Sequence, residues 1–173
     1  MHVHRFPRPI GLCPRLIPGI LLLLLLPAIP VVATADSGDE VEQLLQSPDA
    51  PFGVVFEIVE RDGDALDWAL PAVQDYVRRL RQRFPDIGLA VVSHGREEFA
   101  LLQSRRADKP GLHQTVQALV EEDVPVVVCG THASWLDKRP EDFPDYVEVA
   151  PAGPTAIRNY EAMGFRRIVI ERP

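Results

Sequence analysis

Cys129, His94 and His132 are the side chains of this 173-residue sequence best suited to do chemistry together. Cys129 ends a β-branched apolar run in VPVVVCGTHASW, Val124 to Trp135, and His132 follows it by three residues. His94 ends a second apolar run, GLAVVS, with Gly95 directly after it. A thiolate is the nucleophilic form of cysteine, and an imidazole can take up or return a proton near neutral pH. If a helix begins at Gly130 or Thr131, the unpaired N–H groups at its start favour an anion on Cys129. Gly130 then leaves room for an approaching partner. With Thr131 and Gly95 it makes up the candidate binding positions beside the catalytic candidates Cys129, His94 and His132.

Each of these residues also has a simpler reading. A lone cysteine at a strand end serves as readily as a small apolar filler. His94 fits a turn residue bonding its own backbone, and Thr131 or His132 fits a helix cap. His113 falls on the polar side of a helix and reads as solvated, whereas Trp68 and Trp135 read as packing against a sheet. Thiolate and imidazole together suit zinc or copper, but C-G-T-H lacks the paired spacing of a metal site, so no metal is assigned. There is no phosphate loop and no G-x-S-x-G motif, and no cofactor is expected.

The elements that must hold these residues alternate between strand and helix. FGVVFEIV (Phe52 to Val59), GLAVVS (Gly88 to Ser93), Val124 to Val128, Tyr146 to Val149 and Arg167 to Ile170 read as strands. Leu66, Leu70, Val73, Val77, Leu80 and Phe84 form one helical stripe, its regular part expected from Leu70 with Pro71 in the first turn. Glu97 to Gln103 reads as a short helix and Leu112 to Val120 as an amphipathic one. Gly153-Pro154 opens a last helix that Gly164 closes. Strands apolar on both faces and separated by helices predict an α/β fold, a three-layer α/β/α arrangement around a mostly parallel five-stranded sheet. In such a sheet the strand C-terminal ends share one edge, where ligand sites of open α/β folds lie. That topology brings His94, Cys129 and His132 to one rim.

The first 35 residues do not read as fold. A basic start with Arg5, Arg8 and Arg15 precedes LIPGILLLLLLPAIPVVATA, which ends in Ala33-Thr34-Ala35. This is the pattern of a signal peptide cleaved after Ala35; the stretch Leu16 to Val32, 17 residues interrupted by Pro18, Gly19, Pro27 and Pro30, is short for a membrane anchor. Asp36 to Ala50 is acidic and polar and reads as a flexible leader before a domain at 51–173. Removing three arginines and no acidic residue moves the net charge from −7 to −10. An acidic chain lacks the basic face that nucleic acid needs. Cys13 leaves with the signal, so the exported chain has one thiol and no internal disulfide. The expected location is the periplasm, with no membrane association after cleavage.

The order VVSHG, a helix, VPVVVCGTHA and then YVEVAPAGPTAIRNYEAMGF resembles the DsrE/DsrF-like family of small α/β proteins. The resemblance runs from about Phe52 to Ile170 and includes Trp68 ahead of the first long helix. It implies a three-layer fold around a five-stranded parallel sheet and assembly as a homo-oligomer, a trimer or hexamer. In sulfur-relay members a cysteine at the matching position carries a persulfide between partners. Here that role falls on Cys129, with a sulfur-donor or acceptor protein as partner. The alternative is a non-catalytic oligomeric module that binds a ligand or partner and uses Cys129 for packing.

Overall fold

The structure, a computed structural model, describes residues Asp36 to Arg172. The expected signal segment and Cys13 lie outside the described residues. Five strands alternate with helices as the hydrophobic pattern requires. In chain order they are α1 (Ser37–Gln46), β1 (Gly53–Ile58), α2 (Leu66–Arg83), β2 (Gly88–Ser93), α3 (Pro110–Glu121), β3 (Val126–Cys129), α4 (Gly130–Ser134), β4 (Glu148–Ala150), α5 (Gly153–Ala162) and β5 (Phe165–Val169). All pairings are parallel, in the order β4-β3-β2-β1-β5. Helices cover both sides, which gives the expected three-layer α/β fold. No helix among the described residues is long and apolar enough to cross a membrane.

The two faces of the sheet are unequal. Val54, Phe56, Ile58, Leu89, Val91, Val126 and Val128 point into the larger core, where α1, α2 and α3 supply Val41, Leu44, Leu70, Val73, Leu80, Val116 and Leu119. The alternate residues Val55, Ala90, Val92 and Val127 meet Ile157 of α5 in a smaller cluster. This alternation is the period-2 side-chain geometry of strands. Both faces of the central strands are covered, so β1, β2 and β3 are almost uniformly apolar.

Several boundaries differ from the sequence reading. Asp36 to Ala50 is not a flexible leader throughout: α1 occupies Ser37–Gln46 and buries Val41 and Leu44. The i, i+3, i+4 spacing of Val41, Leu44 and Leu45 makes an apolar face just wide enough to dock on α2. Helix α2 starts at Leu66, ahead of the expected Leu70, and carries Pro71 inside it. Pro71 is solvent-exposed, as is Asp67, whose carbonyl lacks the N–H that a proline cannot supply. The stretch after His94 forms two 3-10 turns, Arg96–Leu101 and Gln103–Arg105, instead of one α-helix. Strand β4 begins at Glu148, because Val147 is held in a turn by its N–H bond to Pro144 O.

Docking of α1 is testable by stability. Leu44→Ala is expected to cost about 2–5 kcal/mol in urea unfolding, as for other buried leucines. Gln43→Ala, exposed on the same helix, should stay within about 0.5 kcal/mol of the parent. Equal effects would mean that α1 does not share the core.

Candidate functional site

The parallel register decides which residues meet. Val92 pairs with Val127 and Ser93 with Val128. The next residues, His94 and Cys129, therefore leave neighbouring strands level with each other. Gly153 confirms the closeness: a Cβ there would lie 2.5 Å from His94 Cβ and 3.3 Å from Cys129 Cβ. The chain of α5 thus passes over both residues, and a side chain at that point would push them apart.

Cys129 is the N-cap of α4, and its Sγ accepts the His132 N–H at 3.4 Å. The sulfur is therefore bonded to one backbone amide, although the residue is only 5 % exposed. Helix α4 has five residues, too short for a sizeable dipole, so that single N–H is the main backbone contribution. Neither Thr131 nor His132 is the cap. Thr131 instead donates its N–H at 3.0 Å and its hydroxyl at 2.7 Å to Pro151 O, tying α4 to the β4–α5 connection.

Both histidines are backed by buried carboxyls absent from the sequence reading. His94 does not bond its own backbone; Nε2 lies 2.7 Å from Glu57 Oε1. Glu57 also pairs with Arg167 of β5 through its other oxygen. Burial works to raise the Glu57 carboxyl, but the bonds from His94 and Arg167 outweigh it and hold it below its ordinary value. His132 Nδ1 lies 3.1 Å from Glu98 Oε1, although neither atom has a well-aligned hydrogen bond. Glu98 Oε2 accepts the Cys129 N–H at 2.9 Å. Glu98 is 0 % exposed. Burial pushes its carboxyl from 4.5 up to about 8; the Cys129 N–H opposes that rise and neighbouring Glu97 adds to it.

Glu97 braces the corner. Its oxygens accept Ser93 Oγ at 2.8 Å, Gly95 N at 2.9 Å and Glu60 N at 2.8 Å. Gly95 is required because a Cβ would lie 2.5 Å from Glu60 N. Its role is this close backbone approach, although it also lines the cavity. Gly130 does not line the cavity; a Cβ there would sit 3.0 Å from Ala150 O of β4, so its smallness serves packing.

These elements enclose a cavity of about 430 Å³ lined by His94, Gly95, Cys129, Thr131 and His132. Arg61, Arg96 and Glu60 supply charge, and Val59, Trp135, Ala152 and Pro154 supply apolar surface. That is a volume for a small ligand. Trp135 does not pack on the sheet: it is 73 % exposed and borders the cavity, its ring 5.5 Å from that of His132. Trp68 is partly buried against the core, as expected. His113 is not solvated but 1 % exposed, with Nδ1 2.7 Å from Tyr146 Oη; burial lowers its pKa. Among the described residues no three His, Cys, Asp or Glu side chains are grouped to hold a metal ion.

The architecture defines a three-layer α/β protein with its cavity at the C-terminal edge of the sheet. No family model and no curated protein matches the chain. Among solved structures it is similar to MTH1491, a protein of unknown function from Methanobacterium thermoautotrophicum. The two share 20 % identity over 68 % of this chain and 98 % of that one, with a TM-score of 0.56. At that identity the likeness establishes the fold alone.

The raised carboxyl of Glu98 has a consequence for stability. An exposed glutamate ionises near 4.5, while Glu98 keeps its proton in the fold up to about 8. Between these values the folded state binds the extra proton, so its contribution to stability falls as pH rises and levels off above 8. Glu98→Gln removes that slope. The Tm difference between variant and parent should grow in the variant's favour from pH 4.5 to 8. Parallel Tm curves would mean that Glu98 is ionised in the fold at neutral pH.

Proposed function

We propose that this chain is an exported, DsrE/DsrF-like sulfur carrier that holds sulfane sulfur as a persulfide on Cys129. The observation that carries the reading is that Cys129 lines a ligand-sized cavity that both His94 and His132 also line. The cysteine thiolate attacks the outer sulfur of a donor R–S–SH. A new S–S bond forms as the donor's S–S bond breaks, Cys129 becomes Cys–S–SH, and the donor leaves as the thiol RSH. No external oxidant is needed, because sulfane sulfur is transferred at its existing oxidation level. The site of action is the periplasm, and the working form is a homo-oligomer, a trimer or hexamer, that passes sulfur to an acceptor thiol.

The second reading, a binding module with Cys129 as packing, is favoured by the small exposure of that residue. One experiment separates the two. Protein treated with a low-molecular-weight persulfide should gain about 32 Da per sulfur atom on the peptide that contains Cys129. Cys129→Ser should gain nothing. Uptake elsewhere in the Ser variant, or labelling of the parent only after unfolding, overturns the carrier reading and supports packing.

The cavity wall carries two arginines, Arg61 and Arg96, against one carboxyl residue, Glu60. On an otherwise acidic chain this favours a donor with a negative charge. Arg61→Ala combined with Arg96→Ala should raise KM for a carboxylate-bearing persulfide by about tenfold with little change in kcat. A neutral persulfide of the same size should be unaffected; equal losses for both would remove the electrostatic role.

A further inference from the structure

The two imidazoles beside Cys129 stand in front of two different carboxyl environments. Glu57 faces His94 and the Arg167 guanidinium, and both are cationic or donating groups. A carboxylate in that setting accepts only, so His94 Nε2 carries a hydrogen, and in the neutral ring Nδ1 is the acceptor. Glu98 faces Glu97, the Cys129 N–H and His132, with no cation among them. Its Oε1 and the His132 Nδ1 are both buried, 3.1 Å apart and otherwise without a partner. A proton shared between them satisfies both atoms. When the shared proton is the one that burial keeps on the Glu98 carboxyl, Nδ1 is its acceptor and the other ring nitrogen, His132 Nε2, carries the hydrogen of the neutral ring. His132 lines the cavity, and among the described residues Nε2 has no hydrogen-bond partner and is not among the buried unpartnered atoms, which fits an orientation toward the cavity.

We propose that Glu57 makes His94 the proton acceptor and Glu98 makes His132 the proton donor of a single thiol-exchange site centred on Cys129. Glu57 and Glu98 are positioning residues, and the histidines are the groups that meet the reacting sulfurs. The inference rests on Cys129 being a nucleophile, as in the carrier reading. Cys129 S–H gives its proton to His94 Nδ1, and the thiolate attacks a sulfur of the donor. The S–S bond of the donor breaks, and the departing RS⁻ takes the hydrogen of His132 Nε2. The shared proton moves fully onto His132 Nδ1, leaving Glu98 as a carboxylate, and solvent carries the proton from His94 back to the Glu98–His132 pair.

The opposite directions of the two carboxyls fit these roles, since divergent environments separate an acid from a base. At pH 7 a carboxyl at about 8 is protonated in about a ten-to-one ratio, so the donor form prevails. Other charges that face the cavity are Glu60, Arg61 and Arg96.

Leaving groups provide the test, read on Cys129 in the exported chain, which has lost Cys13. Two disulfide reagents are compared: an alkyl one, hydroxyethyl disulfide, whose thiolate needs a proton to leave well, and a pyridyl one, whose thiolate does not. Glu98→Gln keeps the acceptor for Cys129 N–H and offers an amide hydrogen to His132 Nδ1, but it has no proton to pass on. It should slow exchange with the alkyl reagent about tenfold below about pH 8 and leave the pyridyl reaction within about twofold. Glu57→Gln should slow both reagents equally, since it weakens the base that acts before the leaving group departs. His132→Gln provides a second route should the Glu98→Gln variant not fold, with the same selective loss expected. Equal loss with both reagents for Glu98→Gln and His132→Gln, or a pH profile unchanged from the parent, overturns the assignment. Failure of persulfide uptake with the leaving-group split intact would instead overturn the sulfur-carrier reading and keep the acid–base one.

Discussion

The level exit of His94 and Cys129 from neighbouring parallel strands is the constraint on which the site depends. It follows from backbone pairing, since Ser93 is matched with Val128 and the next residues have no freedom to drift apart. A slip of one residue would turn every side chain of β3 to the opposite face. Val126 and Val128 would then leave the larger core, and Val127 would leave the smaller one. The same apolar alternation that stabilises the sheet therefore fixes the cysteine beside the imidazole. Structure and chemistry are set by one register.

Around that fixed pair the fold places three buried carboxyl residues, Glu57, Glu97 and Glu98. Each has a distinct set of partners, and this is what buried polar groups require. Glu97 accepts three bonds and holds the β2 exit against the β1 exit. Glu57 is paired with a guanidinium and an imidazole, while Glu98 has an amide and an imidazole only. The difference in charge between these settings, not in residue type, separates the two carboxyls. Thr131 and Gly153 complete the arrangement by closing the β4–α5 connection over the cysteine.

The sequence was most legible where repetition carries information. Strand–helix alternation and doubly apolar strands pointed to the parallel three-layer class, and the shared C-terminal edge placed Cys129, His94 and His132 at one rim. Single-residue environments were not legible. The carboxyl inside FGVVFEIV was the signal that could have found Glu57, since a charge in a doubly buried strand needs a partner. Glu98 carried no such mark, because Glu97-Glu98 resembles any acidic turn until the β3 exit is folded onto it. Burial of His113 was hidden for the same reason: its partner Tyr146 lies 33 residues away. The limits of strand β4 differ because a local turn competes with simple periodicity, and helix α1 escapes a reading of Asp36 to Ala50 as flexible leader because its apolar face is short.

The pairing of β5 with β1 has a temporal consequence. Glu57 and Arg167 are separated by 110 residues, and they meet only through that pairing. Long-range parallel pairing is slow, since loop closure precedes the contacts that reward it. While β5 is undocked, Glu57 stands in a half-formed sheet without its guanidinium, and His94 has no settled counterpart. Completion of the environment around the cysteine is thus coupled to a long-range docking event, so a chain whose β5 is not yet paired holds Cys129 before Glu57 has its guanidinium.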